Sequence, residues 1–347
     1  MKRSLNQLLM IALAFVWISC SEEENDPSMP KSFDGGVFVL NEGNFGSANA
    51  SLSYFEPVSK KVYSAQYNNA SGQDLGDVLQ SGHINDNLLF LVVNNSNKVI
   101  ALDLDNQLSE KYILSGVQQP RYLTTSGSKG YVTETVSYAE KGKLSVFDLT
   151  SGEVTNTIAM DYQPEGVLKN GDQLFVSNNG SANVFVVSLS TEEVTDTISV
   201  GSSPGQMVVD QDGDIWIVCA GGYDQNWDPA NDGAFYEIDP TTLQVKKSIE
   251  LGANISGKIA ISPAGDEIYY HNSGSIYVLQ VDAQSAPQTA FTSVTSFYGI
   301  GVSGDGTIYV ADASDYVQNG SVYRYETNGT LLDEFETGLL PGGLIFN

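Results

Sequence analysis

Seven short, almost wholly apolar stretches recur along the chain, each running out into small or polar residues: GVFVLNEG (36–43), LLFLVVNN (88–95), GYVTET (130–135), LFVSNNG (174–180), IWIVCAGG (215–222), IYYHNSG (268–274) and IYVADASD (308–315). Taking Val39, Val92, Val132, Val176, Ile217, Tyr270 and Val310 as equivalent gives spacings of 53, 40, 44, 41, 53 and 40 residues. Four of these match one four-stranded propeller blade, about 40–50 residues, and the two of 53 slightly exceed it. The context of each stretch repeats too. An apolar run and a tight turn come before it, as in MVVDQDGDIWIV, IAISPAGDEIYY and IGVSGDGTIYV. An alternating run follows, as in LSVFDL (144–149), NVFVVSL (183–189), AFYEID (234–239) and SVYRYE (321–326). A polar turn then leads to a fourth strand, as in TSGEVTNTIAM and STEEVTDTISV. Alternation with period two puts successive side chains on opposite faces of a strand, one of them packed on a neighbouring sheet. No stretch has a convincing helical period, so the chain reads as all-β.

The two ends complete the count. The first repeat, from Phe33, lacks an innermost strand, and PGGLIFN (341–347) reads as an innermost strand without a blade. Pairing them removes two open sheet edges. The predicted fold is a seven-bladed β-propeller over 33–347, closed by pairing the C-terminal strand with the N-terminal blade.

The residues before Phe33 follow a different pattern. Lys2 and Arg3 precede an apolar run from Leu8 to Ile18, then Ser19-Cys20. A charged start, a short apolar run and a small residue before the cut predict a signal peptide over 1–19. The run is shorter than the roughly 20 residues that span a bilayer. A Cys directly after the cut resembles a bacterial lipobox, with Cys20 as the lipidated first residue; Trp17 departs from it where Leu is usual. The alternative is an ordinary signal with an incidental Cys. Residues 20–32 form an acidic, Pro-containing linker. SEEEND (21–26) reads as a solvated tether, and it also resembles the signal that sends some lipoproteins to the outer face of the outer membrane. The predicted location is the outer membrane, by lipid anchor, exposed at the cell surface.

Charge and cysteine content narrow the partners. Without residues 1–19 the chain keeps 14 Lys+Arg against 42 Asp+Glu, a net of −28. Such a field repels phosphate backbones and anionic headgroups, so nucleic acid is excluded and the membrane is reached through lipid alone. Cys219 has no partner if Cys20 is lipidated, so stability must come from a packed core rather than a disulfide.

Candidate chemistry falls on one face. In a propeller the loops between second and third strands share a face with the links between blades. That face carries NEGNFGSANAS (41–51) with Glu42 and Asn44, and ETVSYAEKG (134–142) with Tyr138. The long loops 219–233 and 311–320 bring Tyr223 and Trp227, and Asp312 and Tyr316. Links between blades add Arg121-Tyr122, Glu165 and Phe297-Tyr298. Exposed Tyr and Trp combine large contact area with a polar handle and suit a flat or polycyclic ligand or a protein; loop packing is the plain alternative. The second strands end in Asn41, Asn94, Glu134, Asn178, Cys219, Asn272 and Asp312. Asn and Asp there close turns on nearby backbone, and a polar ring at a channel mouth also hydrogen-bonds a ligand. The expected ligand-binding set is Glu42, Asn44, Asn94, Arg121, Tyr138, Glu165, Asn178, Tyr223, Trp227, Tyr298, Asp312 and Tyr316.

Catalytic and metal signals are sparse. His83 and His271 lie in different repeats without metal-ligand spacing, and His83 reads as a core residue. Asp210, Asp212 and Asp214 resemble the start of a calcium loop, but no Glu follows at the required spacing and the segment aligns with turns of other blades. No metal, cofactor or catalytic residue is expected, and the chain is read as a non-enzyme.

VFVLNEGNFGSANASLSYFEP, LGDV followed by VVNNSNKV, PRYL, and YGIGVSGDGTIYVADASDYVQNGSVYRYETNGTLLDEFETGLLPG resemble the surface-layer-type YVTN propeller lipoproteins over essentially the whole exported domain. Some members of that family capture cobalamin at the cell surface and pass it to a TonB-dependent transporter. The resemblance therefore implies surface binding, a corrinoid or similar bulky solute as ligand, and an outer-membrane transporter as partner. Two rivals remain: a protein-interaction or surface-layer scaffold without a small ligand, and a propeller lyase or lactonase.

Overall fold

A computed structural model describes residues 29–347 except 224, 225, 227, 253 and 254. The signal peptide, Cys20 and most of the linker lie outside the described residues, as does Trp227. Seven four-stranded antiparallel sheets follow one another around an axis. Blade 2 shows the plan, from the axis outward: Leu79–Asn85, Leu88–Val93, Lys98–Asp103 and Ser109–Leu114. Blades 3 to 7 begin with the inner strands Pro120–Ser126, Pro164–Asn170, Pro204–Val209, Ile255–Ile261 and Phe297–Val302. Blade 1 takes its inner strand from the far end of the chain: Pro341–Phe346 pairs antiparallel with Val37–Asn41, from Val37 opposite Phe346 to Asn41 opposite Pro341. The predicted closure is present.

The core is divided among the seams between blades. Along Leu88–Val93, Leu89, Leu91 and Val93 pack with Phe38, Leu40 and Leu52 of blade 1. The alternate residues Phe90 and Val92 pack with Val132 and Phe147 of blade 3. Both faces of the second strand are therefore buried, which is why these stretches read as nearly unbroken apolar runs. Equivalent clusters fill the other five seams. At the closing seam, Tyr309, Ala311, Val322 and Phe335 of blade 7 meet Val37, Val39 and Phe55 of blade 1. Phe55 stacks on Phe335 with ring centroids 3.9 Å apart and planes 5° apart.

Around the axis the inner strands approach so closely that a side chain would collide. A Cβ at Gly205 would lie 2.5 Å from the Gly257 carbonyl oxygen, and one at Gly299 would lie 3.0 Å from that of Gly342. Glycine at these positions sets the width of the channel.

One helix departs from the all-β expectation, and one loop adds a hairpin outside the blades. A helix of six residues, Gln66–Ser71, joins blades 1 and 2 between left-handed residues Ala65 and Gly72. Its Tyr67 is buried and donates a 3.0 Å hydrogen bond to Glu110. So short a helix has no room to display a period. The long loop 219–233 folds a small hairpin, Gly222–Tyr223 on Pro229–Asn231. Among the described residues no helix is long and apolar enough to cross a membrane.

The chain enters and leaves the ring together. Gly35 N–H donates to the Asn347 carbonyl at 2.9 Å, and the Asn347 side chain donates to the Phe33 carbonyl at 3.0 Å.

Candidate functional site

The first residues of all seven inner strands, or the link just before them, converge at one end of the channel and line a cavity of about 570 Å³. They are joined by Glu42, Phe45 and Tyr138 from loops between second and third strands. The face named from the sequence is the face on which the cavity opens. A smaller chamber of about 280 Å³ lies deeper, sharing Gln80, Tyr122 and Lys258 with the mouth. These groups ride on inner strands anchored in the seams by Leu79, Leu123 and Ile259, which fixes their positions.

Two charge pairs face the cavity. The Arg121 guanidinium grips Glu165 with two hydrogen bonds of 2.7 Å and also reaches Gln80. Burial disfavours that charge, but the adjacent Glu165 carboxylate outweighs it and raises the Arg121 pKa further. On the other side, Lys258 Nζ donates to the carbonyls of Tyr298 at 2.9 Å and Gly342 at 2.8 Å, and stands 3.5 Å from Glu42. The Tyr298 hydroxyl donates to Glu42 at 2.8 Å, and its ring lies 5.0 Å under the Lys258 ammonium. Burial first, and the Glu42 charge second, push the Tyr298 phenol well above its ordinary range. Gln206 ties the floor together, donating to the Tyr122 hydroxyl at 3.3 Å and accepting the Ile259 N–H at 3.0 Å. Burial foremost raises the Tyr122 phenol as well, so both phenols stay neutral donors at physiological pH.

Of the expected ligand set, Glu42, Asn94, Arg121, Tyr138, Glu165 and Tyr298 line this cavity. Asn94 also holds the Pro120 carbonyl at 2.9 Å. Asn44 and Tyr316 lie at the rim: the Asn44 side chain donates to the Tyr316 carbonyl at 3.2 Å, and the Tyr316 ring stands edge-on to Tyr298 at 6.1 Å. Asn178 and Asp312 are turn-closing groups. Asn178 is buried and bonded to Asn183 at 2.8 Å; Asp312 accepts the Ser314 N–H at 2.7 Å. The Tyr223 side chain and Trp227 lie outside the described residues. Sequence reasoning missed Lys258, Gln80 and Phe45. Lining up the inner-strand starts (LQSG, PRYL, PEGV, PGQM, SGKI, FYGI) would have isolated Lys258, the one cation there besides Arg121.

The remaining chemical candidates are accounted for. Asp210 accepts the N–H groups of Asp212 at 2.9 Å and Asp214 at 3.0 Å and the Trp216 indole at 2.8 Å. The oxygens of Asp210, Asp214 and Glu237 lie within 4.8 Å of one another, but Lys246 pairs with both Asp214 and Glu237 and Lys247 with Glu237, so lysine ammonium groups already occupy two of the three carboxylates. His83 is not a core residue: it is half-buried and hydrogen-bonded to Thr125 of blade 3 at 3.1 Å. Cys219 is buried, and burial pushes its thiol up to about 12, which leaves it inert.

A seven-bladed ring with a pocket of aromatic rings and paired charges at one channel mouth defines the class. The model of a family described as a domain of unknown function, DUF5074, matches residues 35–339, and the chain belongs to that family. No curated protein matches it. Among solved structures, a candidate 6-phosphogluconolactonase from Bacteroides fragilis is 15% identical, with a TM-score of 0.66 over 92% of this chain and 99% of its own. Another candidate of that name from Bacteroides uniformis is 12% identical, with a TM-score of 0.68 over 90% of this chain and 100% of its own. A functionally unknown protein from Desulfotomaculum acetoxidans is 10% identical, with a TM-score of 0.68 over 90% and 98%. At these identities the likeness concerns the fold.

Proposed function

We propose that this protein is a binding module of the bacterial cell surface, anchored through Cys20 to the outer membrane, that captures a bulky solute at the channel mouth. The solute class we favour is a corrinoid, delivered to a TonB-dependent transporter. The observation that carries the reading is the mouth itself: Tyr122, Tyr138, Tyr298, Phe45 and Phe297 around two charge pairs in a space of about 570 Å³. That size and mixture suit a polycyclic molecule with polar substituents. The resemblance to surface-layer-type YVTN propellers supports the corrinoid and the transporter. The pairing of the charged groups, whose partners are already fixed, supports capture over turnover.

The test is calorimetric titration of the full chain in mild detergent with cobalamin and cobinamide. Saturable binding tighter than about 10 μM, roughly −7 kcal/mol, is expected. Arg121→Ala and Tyr298→Phe should each weaken it about tenfold. Absence of binding to both corrinoids sinks the ligand assignment. A second reading, a protein-docking scaffold, is favoured by three strongly exposed apolar residues on the same face, Phe45, Tyr138 and Val317, at 77%, 76% and 77%. Recovery of a structural surface protein in place of a transporter from solubilised outer membranes would favour it.

A further inference from the structure

Every cation lining the mouth, among the described residues, already has a carboxylate: Arg121 has Glu165 and Lys258 has Glu42. The Arg121–Glu165 pair is bidentate, the strongest geometry available to these groups, and both side chains are largely withdrawn from solvent, at 24% and 17% exposure. Lys258 donates in addition to two backbone carbonyls, which leaves it little capacity for a further acceptor. The other polar side chains facing the space, among them Gln80, Asn94, Tyr122, Asn179 and Tyr298, are neutral dipoles. The mouth thus sums to zero charge inside a chain whose formal net charge is −26. An anion entering it meets no unpaired cation to offset the negative field of the whole chain, and loses hydration in the process. An uncharged amide finds both donors and acceptors.

We infer that the mouth selects uncharged, amide-bearing solutes against their carboxylate forms, with Glu42 and Glu165 as the residues that enforce the choice. This rests on the corrinoid reading above. Arg121 and Lys258 would otherwise make the site an anion receptor; each glutamate cancels one of them.

The test compares cyanocobalamin with its monocarboxylic acid, in which one side-chain amide is hydrolysed, by titration against the full chain in detergent at pH 7.5. Wild type should bind the acid about tenfold more weakly. Glu165→Gln, which keeps the shape but frees the Arg121 charge, should close that gap or reverse it. Glu42→Gln does the same on the opposite wall, so a folding defect in one variant, monitored by circular dichroism, leaves the other. Equal affinity of wild type for both ligands overturns the inference while leaving corrinoid capture standing. A preference unchanged in folded variants also overturns it, because the carboxylates would then not be its source. If neither ligand binds, the corrinoid reading falls and this inference falls with it.

Discussion

Replacing Phe55 by alanine tests whether the ring is held shut as the packing implies. Phe55 is 1% exposed and sits where the last blade meets the first. It loses a ring stacked at 3.9 Å on Phe335 and the guanidinium of Arg324, 5.1 Å from its centre. Truncating a buried Phe to Ala costs about 3–5 kcal/mol. For a domain of residues 33–347, an unfolding entropy of about 2.1 cal/mol/K per residue sums to about 0.66 kcal/mol/K. A loss of about 4 kcal/mol therefore lowers Tm by about 6 °C, read by scanning calorimetry. Phe147→Ala is the reference, since Phe147 is equally buried at the seam of blades 2 and 3. The two variants should fall together in Tm, but only Phe55→Ala should speed proteolytic loss of the terminal strand, because that strand is covalently joined to blade 7 and is held in blade 1 by pairing and packing alone. A shift below about 2 °C, or equal protection of residues 341–347 in both variants, would refute the view that this seam closes the ring.

Two further outcomes follow from the packing and the charges. Gly130→Ala would place a Cβ 2.1 Å from Phe147 Cζ in a filled seam, and should destabilise by about 3 kcal/mol, roughly 5 °C in Tm; an unchanged Tm would show that the seam yields. Asp148 and Asp239 are held below the ordinary aspartate range, chiefly by the Ser151 and Thr242 amides respectively. Their depressed folded pKa values give stability that is full above the unfolded value of about 3.9 and lost as pH falls through the folded one. The urea midpoint should therefore drop below pH 4, and less so in Asp148→Asn/Asp239→Asn; equal drops would contradict it.

Blade number and ring closure were legible because they depend on the repetition of buried strands, and burial on both faces leaves a continuous apolar signature. The face of the site was legible for a related reason: once Asn41, Asn94 and Asn178 are aligned as strand ends, the loops that follow must share one side. Which residues reach the axis was not legible. Lys258 sits in an inner strand whose neighbours Gly257 and Ile259 look like ordinary blade sequence, and only the seven-fold convergence of strands brings it to Glu42, 216 positions away. Asn178 and Asp312 failed to reach the cavity because local backbone and side-chain partners claim their oxygens and amides first. The polar ring divided accordingly, with Asn94 at the mouth and Asn178 buried at a strand end against Asn183.

Both ends of the propeller leave from the side of the ring away from Pro341 and Glu42, since the strand from Val37 runs toward the mouth and Phe346 runs from it. A surface to which the protein is coupled through either end, a sensor chip included, therefore meets its blind side and leaves the pocket facing the solution. For a chain tethered through Cys20, the linker of residues 20–32 extends at most about 45 Å. On such a tether the pocket would face away from the bilayer, and the body would have to roll over on that leash to present it to anything embedded there.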